Sequence, residues 1–414
     1  MSTERDVPRL TISRRDFEAI RQQPRLHRRP YRCLLLVRPD YPVYADLPPA
    51  LAALGIRTVG LPVPADRDKA AFLDALLRAI LDFRPDFLLT LSHCGVDAQG
   101  TLAALLADLR LPLASWLLDS PDLIVTPFPD AAGEAIVVFS CDAAALPAIR
   151  QAGYRHVRAL PLAAAPGRGA AAAPATPPAD GLTFVGADYV AETGRRLQRG
   201  RFGRELTVLV RRLAERSLAA PARDITGLFR PEEARQRAAW QAMSPSRRQD
   251  FALAVLCRAD TLGRTAVLRR LAPLEPRIVG PATWKRLLPD LGDRWQPPTY
   301  DDAAVTALFR ASAVNLNITS RHMHGTPNQR VFDVPAAGGF LLTDASPQLA
   351  ALFEPGTEVA TYDGAHDVVS RCQRYLRDAP ARTAIMAAAR RRIAHEHTFG
   401  HRLAVILQTL KELR

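Results

Sequence analysis

Residues 313–344 read AVNLNITSRHMHGTPNQRVFDVPAAGGFLLTD and give the clearest evidence for the fold of this chain. An alternating apolar run is followed by a polar loop, a short helical stretch, a glycine pair and a second apolar run. This order is typical of two parallel strands joined through a helix. The loop and the start of the helix also hold more hydrogen-bonding side chains than a structural helix needs. We therefore predict a parallel sheet that binds a phosphorylated, polyhydroxylated ligand at its edge.

The same alternation of strands and helices extends outward from this segment in both directions. Short continuous apolar runs, such as CLLLV at 33–37 and FLLTLS at 87–92, are expected of strands buried on both faces of a parallel sheet. The other predicted strands cover 56–63, 112–119, 135–140, 155–163, 181–186, 277–280, 314–319, 340–343 and 358–362. Predicted helices cover 45–55, 70–83, 101–110, 347–353, 365–377 and 380–395. The sequence therefore predicts an α/β fold of two doubly wound, Rossmann-like domains that face a central ligand-binding cleft.

At 414 residues the chain is too long for one ordinary core, so two domains are expected. The stretch PGRGAAAAPATPPADG, which starts at residue 166, has the composition of a linker. Residues 190–273 are helical and Arg-rich, which indicates an insertion in the second domain. The predicted organisation is an N-terminal arm at 1–30, a first domain at 31–165, a linker at 166–180, a second domain at 181–395 and a C-terminal helix at 396–414.

The formal net charge of +13 raises the question of nucleic-acid binding. Only Lys69, Lys285 and Lys411 are lysines, so the basic residues are almost all arginines, and they are spread along the chain. Ala and Pro are abundant too, which is typical of a genomic composition bias. No basic module interleaved with aromatic residues is visible. We therefore predict no nucleic-acid partner and only a diffuse attraction for anionic ligands.

The cysteines and the apolar runs bear on compartment and metal binding. The five cysteines have no paired spacing of the kind that indicates a disulfide framework or a zinc site. The first 30 residues are polar and lack the apolar core of a signal peptide. No run approaches the roughly 18–20 apolar residues of a membrane span. We predict a soluble, cytoplasmic protein without a metal site or a transmembrane segment.

The sequence Thr326-Pro327-Asn328 has the features of a helix start, because Thr can cap a helix and Pro suits its first position. The free amides and the positive end of that helix would attract an anion. Arg330 and Asp333 lie three residues apart and share one face of the helix. They either form an intrahelical ion pair or act separately, Arg330 on a pyrophosphate and Asp333 on sugar hydroxyls.

Other polar and glycine positions of the segment extend the predicted site. Asn315 and Asn317 share one face of a strand, which is unusual unless that face lines a cleft. Gly338 and Gly339 either end the helix or allow close approach of a nucleotide. Pro335 predicts a kink or an early end of the helix. The full set of predicted binding residues is Asn317, His324, Thr326, Asn328, Arg330, Asp333, Gly338, Gly339 and Lys285.

Three further candidates lie outside the segment. His93 and Asp119 stand at the ends of two predicted strands in the N-terminal half, at the expected ligand edge of the sheet. Either one could deprotonate or orient an acceptor. The alternatives are a structural hydrogen bond for His93 and ordinary turn chemistry for Asp119. Lys285 follows a strand of the second half and is either a phosphate ligand or a solvated surface lysine.

The segment RVFDVPAAGGFLLTD at 330–344 resembles the CgeB-like (spore-maturation type) glycosyltransferases, which are related to the group 1 glycosyltransferases and have the GT-B fold. The family pattern there is Arg-x-Phe-acid, a glycine pair among small residues, and an apolar strand that ends in Thr-Asp. Residues 352–376 and the His-Thr-aromatic-x-x-Arg motif within 395–407 are similar to the family too. The resemblance covers most of residues 33–407 and is weakest over 188–273.

The resemblance implies a hexosyltransferase-type enzyme whose first domain binds the acceptor and whose second domain binds a nucleotide-diphosphate sugar. Asp333 would match the acid that binds the ribose, and Arg330 a position that faces the diphosphate. The glycine pair would match the turn near the donor. Many retaining relatives carry two Glu separated by seven residues, whereas this chain has Gly325 in the first position and Asp333 in the second. The resemblance therefore leaves the stereochemical outcome open.

The leading hypothesis is a cytoplasmic glycosyltransferase that moves a sugar to a protein or a surface glycan. No cofactor is predicted, since helix ends and basic side chains can carry the charge of the leaving diphosphate without a metal. A second hypothesis is a non-catalytic nucleotide-sugar or glycan-binding protein of the same fold, which the missing acid at Gly325 favours. A third is a nucleic-acid-binding protein, motivated by the charge alone. The absence of GxGxxG, GxxxxGK[ST], HExxH and GxSxG motifs argues against dehydrogenases, P-loop ATPases, zincins and serine hydrolases.

Overall fold

The computed structural model describes residues 12–39, 41–64, 69–125, 128–164, 180–219, 223–299 and 301–413. The chain divides into two compact units, one of Met1–Pro161 with Phe399–Arg414 and one of Leu162–Thr398. Residues 165–179, which hold almost all of the predicted linker, lie outside the described residues, as do residues 1–11 of the predicted arm.

The first unit is built on a six-stranded parallel sheet. Its strands are β1 (Tyr31–Val37), β2 (Ile56–Pro62), β3 (Phe87–Leu91), β4 (Leu113–Leu117), β5 (Ile136–Ser140) and β6 (His156–Ala159). They lie in the order β2-β1-β3-β4-β5-β6. The associated helices are α1 (Arg14–Arg21), α2 (Leu47–Ala53), α3 (Lys69–Phe83), α4 (Thr101–Asp108), α5 (Pro121–Ile124) and α6 (Leu146–Gln151). Every residue of β3, β4 and β5 is buried, as their continuous apolar sequences require.

The second unit contains another six-stranded parallel sheet. Its strands are β7 (Asp180–Val185), β8 (Arg277–Val279), β9 (Trp295–Gln296), β10 (Ser312–Leu316), β11 (Leu341–Asp344) and β12 (Ala360–Tyr362). They lie in the order β12-β11-β10-β7-β8-β9. The helices are α7 (Val190–Gly200), α8 (Arg204–Ala219), α9 (Ala234–Gln241), α10 (Pro245–Arg270), α11 (Thr283–Leu287), α12 (Asp302–Ala311), α13 (Arg330–Ala337), α14 (Pro347–Ala350), α15 (Gly364–Arg377) and α16 (Ala379–Glu396).

The predicted fold class is confirmed, because each unit is a doubly wound parallel sheet with connecting helices. Strand β9 was not predicted, since two residues are too short to give an apolar pattern. Among the helices of the described ranges, none combines the length and the apolar character needed to cross a bilayer.

Helices α7 to α10 form a helical layer with an apolar core of its own. Leu213, Phe229, Trp240 and Phe251 belong to that core. Residues 190–273 contain 18 Arg against eight acidic residues, so this stretch carries +10 of the formal charge of +13. The arginines are spread along the chain as expected, but their excess over acidic residues is concentrated in the helical layer.

The last helix, α17 (Phe399–Glu412), belongs to the first unit. Phe399 packs edge-on against Trp116 with 5.5 Å between ring centroids. Arg402 Nε donates to the carbonyl oxygen of Pro161 at 2.9 Å. Arg402 thus ties the helix to the rest of the first unit.

Candidate functional site

The second sheet has a switch point between β10 and β7. Strands β8 and β9 extend the sheet on one side of β7, whereas β10, β11 and β12 extend it on the other. The loops that follow β7 and β10 therefore diverge at the carboxyl edge of the sheet. Open α/β sheets bind ligands in the crevice between such loops.

Arg264, from α10, bridges the two loops at this switch point. Its guanidinium donates to the carbonyl oxygens of Ala187 (2.7 Å) and Ile318 (2.9 Å), and to Ser320 Oγ (2.8 Å). The hydroxyl of Tyr189 lies 2.8 Å from the same Ser320 Oγ. Arg264 is only 3% exposed, and its Nε has no hydrogen-bond partner among the described residues. A buried cation held by neutral oxygens keeps its attraction for an anion, and among the described residues no carboxylate forms an ion pair with Arg264.

Arg330 is the first residue of α13, and its charge acts on Arg264. Burial and the charge of Arg264 lower the pKa of Arg330 to about 10, while Tyr189 and Asp333 oppose that shift. In the described part of the chain its guanidinium makes no hydrogen bond or ion pair. Two neighbouring arginines of this kind produce a positive potential that suits a diphosphate.

The start of α13 differs from the sequence prediction. The helix begins at Arg330 after Gln329, and no side chain caps it. Thr326 is buried, its amide donates to Met323 O, and its hydroxyl lies 3.4 Å from Gln348 Oε1. The predicted Thr326 cap is wrong, because a turn with left-handed residues occupies the segment and delays the helix.

The end of α13 also differs from the prediction. The helix continues past Pro335 to Ala337 and ends at Gly338, whose φ is 83°. The prediction of an early end is wrong, because the buried residues on both sides of the proline hold the helix in place. A Cβ on Gly339 would lie 2.7 Å from Phe309 O and 3.0 Å from Asn315 Nδ2. Capping and close packing therefore account for both glycines, and their contact with a nucleotide stays a prediction.

Asp333 and the predicted amide residues are engaged within the protein. Asp333 is 7% exposed, and its Oδ1 accepts from Gln329 Nε2 at 2.9 Å. Asn317 donates to Thr343 Oγ1 and accepts from Asn328 Nδ2, both at 2.9 Å. The structure thus brings the polar residues after β10 together, mostly through internal hydrogen bonds, while Asn328 Oδ1 is buried without a partner among the described residues.

Lys285 is exposed on α11, apart from this network. Its ammonium lies 4.4 Å from the centroid of the Trp295 ring, an arrangement typical of a cation–π contact. The preceding Trp284 is buried and donates to Gly186 O at 2.9 Å. The structure gives Lys285 a surface role, and its contact with a phosphate stays a prediction.

The two candidates of the first unit occupy different environments. His93 is 8% exposed, with Nδ1 2.5 Å from Ser115 Oγ and Nε2 3.3 Å from Tyr154 Oη. Burial lowers the pKa of His93 to about 3, so its ring is neutral near pH 7. Asp119 is exposed in the loop after β4. The geometry favours the structural alternative for His93 and leaves Asp119 accessible.

A pocket of about 710 Å³ lies between α10 and the carboxyl ends of β10, β11 and β12. This volume is within the range of small-molecule sites, roughly 300–1,000 Å³. Of the predicted binding residues, only His324 lines it. The other polar residues of its lining are Ser217, Arg223, Asp260, Arg264, Thr319, Ser320, Arg321, Asp344 and Tyr362. Arg264 therefore belongs both to the pocket and to the switch-point crevice.

Four polar residues of the crevice and the pocket were not predicted from the sequence, namely Tyr189, Arg264, Arg321 and Asp344. Arg264 gave no distinct signal, since its helix carries several other charged residues. Asp344 was visible as the last residue of the quoted segment, but nothing in the pattern distinguished it from Asp333. Within the ranges described, no group of three or more His, Cys, Asp or Glu is arranged to hold a metal ion.

Residues 262–408 match the family model described as glycosyl transferase-like. The match covers less than half of the chain, and it includes both arginines of the switch point and the pocket residues Arg321 and Asp344. No curated protein matches the sequence.

Three solved structures illustrate what the chain is similar to. Sucrose-phosphate synthase from Thermosynechococcus elongatus has a TM-score of 0.55 at 11% identity, over 92% of this chain and 99% of that chain. Anabaena Alr3699/HepE in complex with UDP and glucose has a TM-score of 0.49 at 12% identity, over 92% and 100%. WaaG, a glycosyltransferase involved in lipopolysaccharide biosynthesis, has a TM-score of 0.47 at 11% identity, over 90% and 98%. At such identities the likeness concerns the fold alone. The chain has the two Rossmann-like domains of the GT-B fold, and its residues 262–408 carry a glycosyl transferase-like sequence.

Proposed function

We propose that the protein is a glycosyltransferase that takes a sugar from a nucleotide-diphosphate donor bound by the second unit. The observation that carries this proposal is the pair Arg264 and Arg330 at the switch point, neither of which forms an ion pair with a carboxylate among the described residues. Both residues fall within the glycosyl transferase-like segment. A protein or a surface glycan as the acceptor, and the CgeB-like subtype, stay predictions.

The chemistry asks the protein to stabilise the charge of a leaving nucleoside diphosphate. Arg264 is held by three hydrogen bonds, so its charge needs no reorganisation during the reaction. Arg330 has a free planar fork of donors that suits two phosphate oxygens at once. We propose that these two cations carry the leaving-group charge without a metal ion.

Acid–base chemistry on the acceptor is better suited to Asp119 than to His93. Both ring nitrogens of His93 are within hydrogen-bonding distance of hydroxyl groups, and its ring is buried. Asp119 is exposed beyond β4, at the carboxyl edge of the first sheet. A base must reach the proton that it removes. We therefore propose Asp119 as the residue that deprotonates or orients the acceptor.

Thermal unfolding with UDP, GDP, ADP and dTDP tests the proposed donor. A ligand at about 100 times its dissociation constant should stabilise the protein by ~2.7 kcal/mol. We expect one nucleotide to stabilise the native chain and the control Arg391→Gln, whose arginine is exposed on α16, but not Arg330→Gln. No stabilisation of the native protein by any of the four nucleotides would contradict the proposal.

Turnover separates an enzyme from a binding protein. Release of the stabilising nucleoside diphosphate from its sugar conjugate, in the presence of an acceptor fraction and EDTA, would support a metal-independent transferase. Binding without release would favour the non-catalytic alternative. One observation favours that alternative: Gly325 has a φ of 80°, a conformation that suits glycine and would strain the acid found there in many relatives.

A further inference from the structure

One carboxylate of the pocket keeps an oxygen without a protein partner. Oδ1 of Asp344 accepts from the amide and the hydroxyl of Thr319, both at 2.9 Å, and from Thr343 Oγ1 at 3.3 Å. In the described ranges, no group donates to Oδ2. This oxygen is also not fully buried. Asp344 is therefore held rigidly by one oxygen and keeps the other accessible beside the pocket.

The same pocket has a guanidinium without an acceptor. The backbone amide of Arg321 donates to Asp260 Oδ1 at 2.8 Å. Its side chain is partly buried, lines the pocket and makes no hydrogen bond or ion pair with any residue described. Arg264, on the α10 side, and Arg223 are further cations of the pocket lining. An unpaired cation and an unpaired carboxylate oxygen in one cavity indicate a ligand that supplies both complements.

The remaining walls limit what that ligand can be. Leu256, Val267, Ile318 and Ala345 give the pocket apolar surface. A carboxylate that only accepts hydrogen bonds selects hydroxyl groups, and a guanidinium selects a phosphate. A molecule with a diol near a phosphate and an apolar face fits this combination, as a nucleotide sugar does.

Asp333 is less suited to bind those hydroxyl groups. Its carboxylate is 7% exposed, accepts from Gln329 and does not line the pocket. Asp344 is anchored by neutral donors and is open to the cavity. The resemblance pointed to Asp333, whereas the geometry points to a residue eleven positions later at the end of β11.

We propose that the donor extends from the switch-point crevice into this pocket, where Asp344, rather than Asp333, binds a vicinal diol of the donor while Arg321 and Arg264 face its phosphate. The proposal rests on the function proposed above, because the donor is the nucleotide sugar of that reaction. The diol is either that of the nucleotide ribose or that of the transferred sugar.

Calorimetric titration of matched variants tests this assignment. The probes are UDP, GDP, ADP and dTDP and their glucose conjugates, and the variants are Asp344→Asn, Asp333→Asn and Arg321→Gln. Asn at 344 keeps an oxygen for Thr319, so this variant is expected to fold. We expect Asp344→Asn and Arg321→Gln to weaken the tightest probe about tenfold or more, and Asp333→Asn less than about twofold. A loss confined to the glucose conjugate assigns the diol to the sugar, whereas a loss for the free nucleotide assigns it to the ribose.

The proposal is overturned if Asp344→Asn binds like the native protein, or if Asp333→Asn loses more affinity than Asp344→Asn. If Asp344→Asn does not fold, the affinity of Arg321→Gln tests the proposal instead. The guanidinium of Arg321 makes no hydrogen bond or ion pair with a described residue, so this substitution removes no such structural contact. If no nucleotide binds the native protein, the proposed function fails. If the native protein then binds glucose 1-phosphate, and Asp344→Asn and Arg321→Gln bind it more weakly, the pocket assignment is still supported. If the native protein does not bind glucose 1-phosphate either, the pocket assignment is overturned too.

Discussion

The carboxyl edges of the two sheets carry similar polar side chains but differ in whether those side chains have partners. At the first sheet, His93 is buried with both ring nitrogens near hydroxyl groups of Ser115 and Tyr154. At the second sheet, Arg330 and Asp344 each keep a polar group that no described residue satisfies. Arg330 and Asp344 are partly buried, so the unpaired group of each is open to a ligand that supplies its complement. A polar residue at a strand end is therefore weak evidence for a site, and a missing partner is much stronger evidence.

The largest expected effect comes from Arg264, whose donors join the loops of the second sheet. Arg264→Met keeps an unbranched apolar stem but removes three hydrogen bonds to Ala187, Ile318 and Ser320. We expect a loss of about 3 kcal/mol in the free energy of unfolding and loss of nucleotide binding. Urea unfolding and calorimetry measure both quantities.

The matched control is Arg269→Met, an exposed arginine of the same helix, which should change stability by less than about 0.5 kcal/mol. Equal stability of the two variants would show that Arg264 does not join the loops as described.

Arg330 contrasts most strongly with His93, because the guanidinium of Arg330 makes no hydrogen bond to any described residue. Arg330→Gln should weaken nucleoside diphosphate binding about 10- to 100-fold. The unliganded variant should be as stable as the native protein or more stable, because repulsion from Arg264 is removed. Calorimetry and thermal unfolding test the two parts. Lower stability with unchanged affinity would place Arg330 among the structural residues.

The buried, neutral His93 of the first unit should make the stability of the protein depend on pH. Its pKa is about 3 in the folded state and roughly 6.5 when unfolded, so the unfolded chain binds the additional proton between those values. The contribution of His93 is complete above the unfolded pKa and is lost as the pH falls. Between pH 7.5 and pH 5 the native protein should lose about 2 kcal/mol from this residue.

The variant His93→Asn lacks that contribution, and Asn tolerates the positive φ of 58° at this position. Urea unfolding at both pH values should show a smaller stability loss in the variant, with nucleotide affinity unchanged at pH 7.5. Equal losses in the two proteins would mean that His93 is not buried in its neutral form.

The smallest expected effect concerns Thr326, which sequence analysis placed at the helix start. A Thr at an N-cap contributes about 1 kcal/mol. In the structure its hydroxyl has only a 3.4 Å contact with Gln348. Thr326→Val should therefore change the unfolding free energy by less than about 0.5 kcal/mol. A loss of about 1 kcal/mol or more in urea unfolding would support the cap instead.

Some local features could not be obtained from the pattern. The Thr-Pro pair has the composition of a helix start, yet His324 and Gly325 adopt left-handed conformations that turn the chain first. Helix α13 tolerates Pro335 because its residues from Val331 to Ala337 are buried. In both cases tertiary packing overrides a local preference.

The sequence by itself determined the two doubly wound domains, the positions of nearly all strands and the region that carries the candidate site. These features follow from short-range periodicity, which a parallel sheet imposes on every strand. Only the tertiary structure decided which polar groups are satisfied. Arg264 reaches carbonyl groups 77 and 54 residues away in the chain, at Ala187 and Ile318. A local pattern contains no information on such pairings, and it is the pairings that separate a structural His93 from an available Asp344.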